Sequence, residues 1–191
     1  MIHIHGTGRS AILVLGVPGS GKSTLCRSVS QQGHAIWFSA SMVLRDYAHR
    51  NPLTTTTWCD CWARGQNAPD EEVLPVLWDA YVRSEDATIL LDGYPRTSIQ
   101  LRDFSRRGGQ ISAIFLLSVG AVTALSRITA RSKVSMRSDD ELDIAKQRIE
   151  AEWRRITELL HRPEIEQKTI CINAESDEGQ VVADVLARLT A

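Results

Sequence analysis

Apolar residues fall into two kinds of run along this chain. Five runs are short, continuous and rich in β-branched side chains, at 11–15, 35–38, 88–91, 111–117 and 169–172. Runs of that length and make-up predict buried β-strands. Between them, apolar positions recur at three- and four-residue steps, the period of an amphipathic helix. The most regular such stretch follows Ser138, where Leu142, Ala145, Ile149, Trp153, Ile156 and Leu160 share one face. Ser138 and Glu141 make a capping box at its start, and Pro163 lies just beyond its end.

Strand and helix alternating in this way predict an α/β fold: a five-stranded parallel sheet covered on both faces, with ligands taken at the carboxyl ends of the strands. A chain of 191 residues is long enough for one full core. About fifty residues separate the second and third strands, far more than one crossover helix needs. They include Asn51-Pro52, the threonines of 54–57 and the turn-forming stretch 65–69, and they predict an inserted helical subdomain.

Composition changes this picture little. The hydrophobic share of 43%, the charged share of 24% and the net charge of −1 are those of an ordinary globular chain and argue against a nucleic-acid partner. Eighteen of the 22 basic residues are arginine, whose planar fork suits phosphate oxygens, although biased composition gives the same count. No run of eighteen apolar residues occurs and the first nine residues are not a signal peptide, so a cytoplasmic location without membrane contact is expected. Cys26, Cys59, Cys61 and Cys171 are too few and scattered for a disulfide framework.

Position carries the chemistry. Directly after the first strand stands Gly16-Val17-Pro18-Gly19-Ser20-Gly21-Lys22-Ser23-Thr24, which fits the phosphate-loop pattern G-x-x-x-x-G-K-[ST]. Its glycines permit a nest of backbone N–H groups around nucleotide phosphates; Lys22 reaches the terminal phosphates and Ser23 approaches Mg²⁺. A chance Gly-rich turn is the plain alternative, and the strand before and helix after weigh against it. A second cluster, Asp92-Gly93-Tyr94-Pro95-Arg96-Thr97, ends the third strand with an acidic residue, where Asp92 could orient Mg²⁺ through water.

Together with the phosphate loop, this cluster resembles the Asp-Gly-aromatic-Pro-Arg signature of the adenylate kinase family. The segment 131–137 looks like the short lid of the compact adenylate and uridylate/cytidylate kinases. The resemblance implies one nucleoside monophosphate kinase domain of the P-loop NTPase type, an α/β/α sandwich: a core over 1–38, 86–126 and 138–191, an acceptor-binding insert over 39–85 and a lid over 127–137. It also implies a monomer that uses Mg²⁺, ATP and a nucleoside monophosphate.

By the same resemblance Lys22, Arg96, Arg131, Arg137 and Arg148 are the catalytic cations. Gly16, Pro18, Gly19, Ser20, Gly21, Lys22, Ser23, Thr24 and Arg127 would bind ATP, with Ser23 and Asp92 serving Mg²⁺ mostly through water. Ala40, Arg45, Ala68, Gly93, Arg96 and Gln100 would receive the acceptor, and Asp139 and Asp140 would fasten the closed lid. Arg137 and Arg148, eleven residues apart, are close to three helical turns from each other and are expected to face one anion.

Acceptor identity divides the signals. Ala40-Ser41-Met42 replaces the family's usual Thr-Gly-Asp and, with Leu44-Arg45-Asp46, looks more like the uridylate/cytidylate kinases; Gln100 matches the residue that reads adenine in adenylate kinases. AMP is the acceptor favoured, with UMP or CMP, or a nucleotide-binding regulatory module without catalysis, as the alternatives. Cys59-Asp60-Cys61 lacks a second pair of metal ligands, and Trp58 and Trp62, which could offer a base-stacking face, are expected to pack the core of the insert.

Overall fold

The computed structural model describes residues 10–64, 66–84, 87–132 and 142–189. In chain order the elements are β1 (Ser10–Leu15), α1 (Lys22–Gln31), β2 (Ile36–Ser39), α2 (Ala40–Arg50), α3 (Thr56–Ala63), α4 (Asp70–Val82), β3 (Thr88–Asp92), α5 (Ser98–Arg106), β4 (Ile111–Ser118), α6 (Ala121–Ser132), α7 (Leu142–Leu160), α8 (Pro163–Glu166), β5 (Thr169–Asn173) and α9 (Glu178–Leu189). The strands form one parallel sheet in the order β2-β3-β1-β4-β5. All five expected strands are present, four of them running one residue further at their carboxyl ends than the apolar runs do.

Alternation along β1 builds the layers, because successive strand side chains point to opposite faces. Ala11, Leu13 and Leu15 join a core with Phe38, Leu91, Leu77, Phe104 and Ile156, under α4, α5 and α7. Ile12 and Val14 join the other core with Leu25 and Val29 of α1 and Val181 and Val185 of α9. The residues of β1 from Ala11 to Leu15 are at most 3% exposed, so the strand that feeds the phosphate loop is held from both sides. Each fully buried Val, Leu or Ile stabilises by roughly 1.5–3 kcal/mol before the entropy of ordering is subtracted.

The residues between β2 and β3 hold α2, α3 and α4. Trp58 of α3, 2% exposed, stacks on Tyr47 of α2 and donates its indole N–H to Glu72 of α4, so one side chain ties the three helices together. Among the described residues no helix is long and apolar enough to cross a membrane, and no cluster of His, Cys, Asp and Glu has the make-up of a metal site.

The long helix differs from its expected face. Ala145, Ile149 and Ile156 are buried as expected, but Trp153 is 55% and Leu142 53% exposed, while Glu152 is only 4% exposed. Leu159 at 2% is buried more deeply than its neighbour Leu160. The helix has turned a carboxylate inward because two arginines receive it there, and the large indole has moved out. Pro163 opens the short α8 with its fixed φ at the first helical position. The capping pair Ser138 and Glu141 lies outside the described residues.

Candidate active site

At the carboxyl end of the sheet the loop after β1 turns into α1. Gly21 takes the cap position in the left-handed region, φ 93°, with no side-chain cap, so the first N–H groups of α1 open toward the loop. Lys22 folds back over the loop and donates to the carbonyls of Gly16 at 2.6 Å and Val17 at 3.0 Å. Burial holds its ammonium below the ordinary lysine value, and the nearby carboxylates of Asp92 and Glu152 only partly offset that. A phosphate oxygen at this place would supply the missing counter-charge.

Gly19 is bound to its identity by space as well as by conformation. Its φ is +82°, and a Cβ there would stand 2.3 Å from the carbonyl oxygen of Ala124 on α6. Gly19→Ala is therefore expected to destabilise the chain by about 2 kcal/mol or more, from backbone strain plus overpacking against a main-chain atom. Urea unfolding measures it; an unchanged midpoint would mean that loop and helix separate freely.

Asp92 ends β3, paired in register with Val14 on one side and Ser39 on the other. Its Oδ2 accepts the hydroxyl of Ser23 at 2.7 Å and the indole N–H of Trp37 at 3.3 Å. Arg27 lies over the Trp37 ring, 5.4 Å from its centre. A hydroxyl and a carboxylate in contact are hard oxygen donors, the set that Mg²⁺ prefers. Nothing in the sequence marked Trp37, which reads as an ordinary strand residue.

Loop, insert and long helix surround one cavity of about 720 Å³. Pro18 to Thr24 line its floor, with Asp92 and Gly93 beside them. Arg127 and Arg131 of α6 and Arg148 of α7 line it, Arg127 also donating to the carbonyl of Ala174 at 2.9 Å. Ala40, Arg45, Ala68, Arg96 and Gln100 line it as well. Gly16 does not line the cavity and enters through its carbonyl on Lys22. Arg137, Asp139 and Asp140 lie outside the described residues.

The two tryptophans of α3 part company. Trp58 belongs to the core, whereas Trp62 also lines the cavity and carries the guanidinium of Arg45 over its ring at 5.4 Å.

Arg96 meets a partner that the sequence did not suggest. Its Nε donates to Glu152 Oε1 at 3.2 Å and its Nη2 to Oε2, while Arg155 Nη1 donates to the same Oε2 at 3.1 Å. Burial alone would raise the Glu152 carboxyl, but Arg96, Lys22 and Arg155 outweigh it and hold the group below the usual glutamate value. One buried carboxylate thus aligns two arginines at the cavity wall, using two of the five N–H groups of Arg96 and one of those of Arg155.

Gln100 is likewise held. Thr97 caps α5 by accepting the Gln100 backbone N–H at 3.2 Å, and the Gln100 side chain reaches back, a capping box displaced by one residue. Its Oε1 accepts the Arg96 backbone N–H at 2.8 Å and its Nε2 donates to Asp70 Oδ1 at 2.7 Å.

The family model described as "AAA domain" matches residues 15–146. Human adenylate kinase isoenzyme 1 is 30% identical over 182 residues, which cover 94% of this chain and 94% of the relative. The pig isoenzyme 1 is 30% identical over 180 residues, 93% of each chain. Human adenylate kinase isoenzyme 5 is 31% identical over 166 residues, 86% of this chain and 30% of that longer protein.

Proposed function

The chain belongs to the adenylate kinase family, and on that premise we propose that it transfers the terminal phosphoryl group of ATP to AMP, giving two ADP. The observation that carries this reading is one cavity lined by a phosphate loop, six arginines and Gln100. Two polyanions must be brought together there, and the cations and N–H groups of the chain offset their repulsion.

In this reading the loop N–H groups, Lys22 and Arg131 hold the donor phosphates, and Arg127 packs on the donor base. Arg45 and Arg96 hold the acceptor phosphate, Ala40, Ala68 and Gly93 shape its pocket, and Gln100 meets the base. Arg148 and Arg137 receive the negative charge spread over the moving group. An oxygen of the AMP phosphate attacks the γ-phosphorus in line as the bond to the β-phosphate oxygen breaks. Placing both reactants in one orientation supplies much of the rate, and the cations supply the rest. Ser23 and Asp92 would hold Mg²⁺, largely through water, and the ion when bound neutralises phosphate charge. The core, insert and lid over 127–137 divide these tasks, with Asp139 and Asp140 fastening the lid so that water does not replace the acceptor.

A coupled assay of diphosphate formation from MgATP with AMP, CMP, UMP, GMP and dCMP tests the proposal. AMP should turn over fastest; preference for UMP or CMP would shift the reading to that kinase class, and no turnover of any would overturn it. Gln100→Ala is expected to raise the KM for AMP roughly tenfold or more while leaving that for ATP unchanged. Unaltered AMP kinetics would remove Gln100 from the acceptor site.

A further inference from the structure

We propose that Asp70 is a specificity-positioning residue: it locks the polarity of the Gln100 amide, so that the acceptor site takes a 6-amino purine and rejects its 6-oxo counterpart. The inference rests on the adenylate reading above and deepens it.

A glutamine amide can present either end to a ligand, and a free one adapts by turning over. Gln100 is not free. A carboxylate only accepts, so the amide end facing Asp70 has to be the NH₂; a backbone N–H only donates, so the end facing Arg96 has to be the carbonyl. Both neighbours therefore demand the same orientation, and turning the amide would set acceptor against acceptor and donor against donor. Gln100 is 5% exposed, so water cannot take over either bond cheaply. Its backbone is fixed as well, through the Thr97 cap.

The consequence falls on the base. Whatever bonds Oε1 must donate, and whatever bonds Nε2 must accept. Adenine offers an exocyclic N–H donor beside a ring nitrogen acceptor; hypoxanthine offers the reverse, a carbonyl beside a ring N–H, on a ring of nearly the same shape. With ribose and phosphate held by the same groups, one base satisfies the locked amide and the other leaves two buried polar groups opposed. Asp70 stands at the first position of α4 and does not line the cavity, so it acts through Gln100.

Calorimetric binding of AMP and inosine monophosphate to the full chain, with turnover of each measured alongside, tests the lock. The unaltered protein should prefer AMP by roughly 10³-fold. In Asp70→Asn the new amide can donate or accept, so one of the two demands on Gln100 is lifted. The expected result is AMP affinity within about twofold of the original and inosine monophosphate affinity gained roughly tenfold, with the KM for ATP unchanged and the unfolding midpoint lowered by no more than the loss of one helix-start charge. A gain for the wrong ligand is not what a merely structural lesion produces. Equal binding of the two nucleotides by the unaltered protein, or an unchanged ratio in Asp70→Asn, overturns the lock and leaves the adenylate reading standing. Absence of both binding and turnover with AMP overturns that reading and the lock with it.

Discussion

Lys22→Met is expected to lower kcat by roughly 10³-fold while leaving the folded chain as stable as before or more so. The two effects come from one arrangement. The ammonium is desolvated inside its loop, with its charge set against the Gly16 and Val17 carbonyls. Because its folded pKa is lowered from 10.5, protonation opposes folding, and stability should climb as pH rises toward that value. Methionine keeps the length of the stem and removes the charge, so that slope should vanish. Single-turnover rates, read beside urea unfolding at pH 7 and pH 10, separate the effects. A variant that loses activity only because it unfolds would show Lys22 to be a structural residue.

The second large effect should come from Arg96→Ala. Removing one partner of a buried carboxylate usually costs about 3–5 kcal/mol, and here Arg155 remains and Arg96 is 30% exposed, so about 2 kcal/mol is the better expectation. Activity should fall by roughly 10²-fold or more because the acceptor phosphate loses its fork. The double variant Arg96→Ala/Glu152→Gln should recover most of the stability and none of the activity. Recovery of both would mean that Arg96 only neutralises Glu152.

The acid limb gives an independent reading of the same carboxylate. Its folded pKa lies below 4.5, so its contribution is complete above that value and is lost as pH falls through the lowered one. In Arg96→Ala the burial of Glu152 is less opposed, and the loss should begin at higher pH. Thermal unfolding between pH 3 and pH 7 would record it.

Much of this architecture was legible because it is written in local periodicity. The apolar runs have strand length, and the phosphate loop and the Asp92 cluster each follow one of them. Glu152 was not legible, since a charged residue inside an amphipathic helix reads as solvent-facing until two arginines distant in sequence or one turn away are known to meet it. That exchange also misplaced Trp153. Trp58 and Trp62 stand one helical turn apart and look alike in sequence, yet one is core and the other is wall. Asp70 carried no signal in the sequence, and only its hydrogen bond from Gln100, thirty residues further along the chain, ties it to the site.

The knot of Arg96, Glu152 and Arg155 bears on how such a site can change over generations. A glutamate arriving before its second arginine would draw Arg96 alone and leave the acceptor phosphate with less positive charge. Arg155 arriving first would add one more cation to a cavity wall that already carries several, a step of small cost. The order of substitution is thereby biased toward arginine first, and once the glutamate is buried neither arginine can be lost singly without penalty. Three positions then drift as one, and descendants of this chain should keep or lose them together.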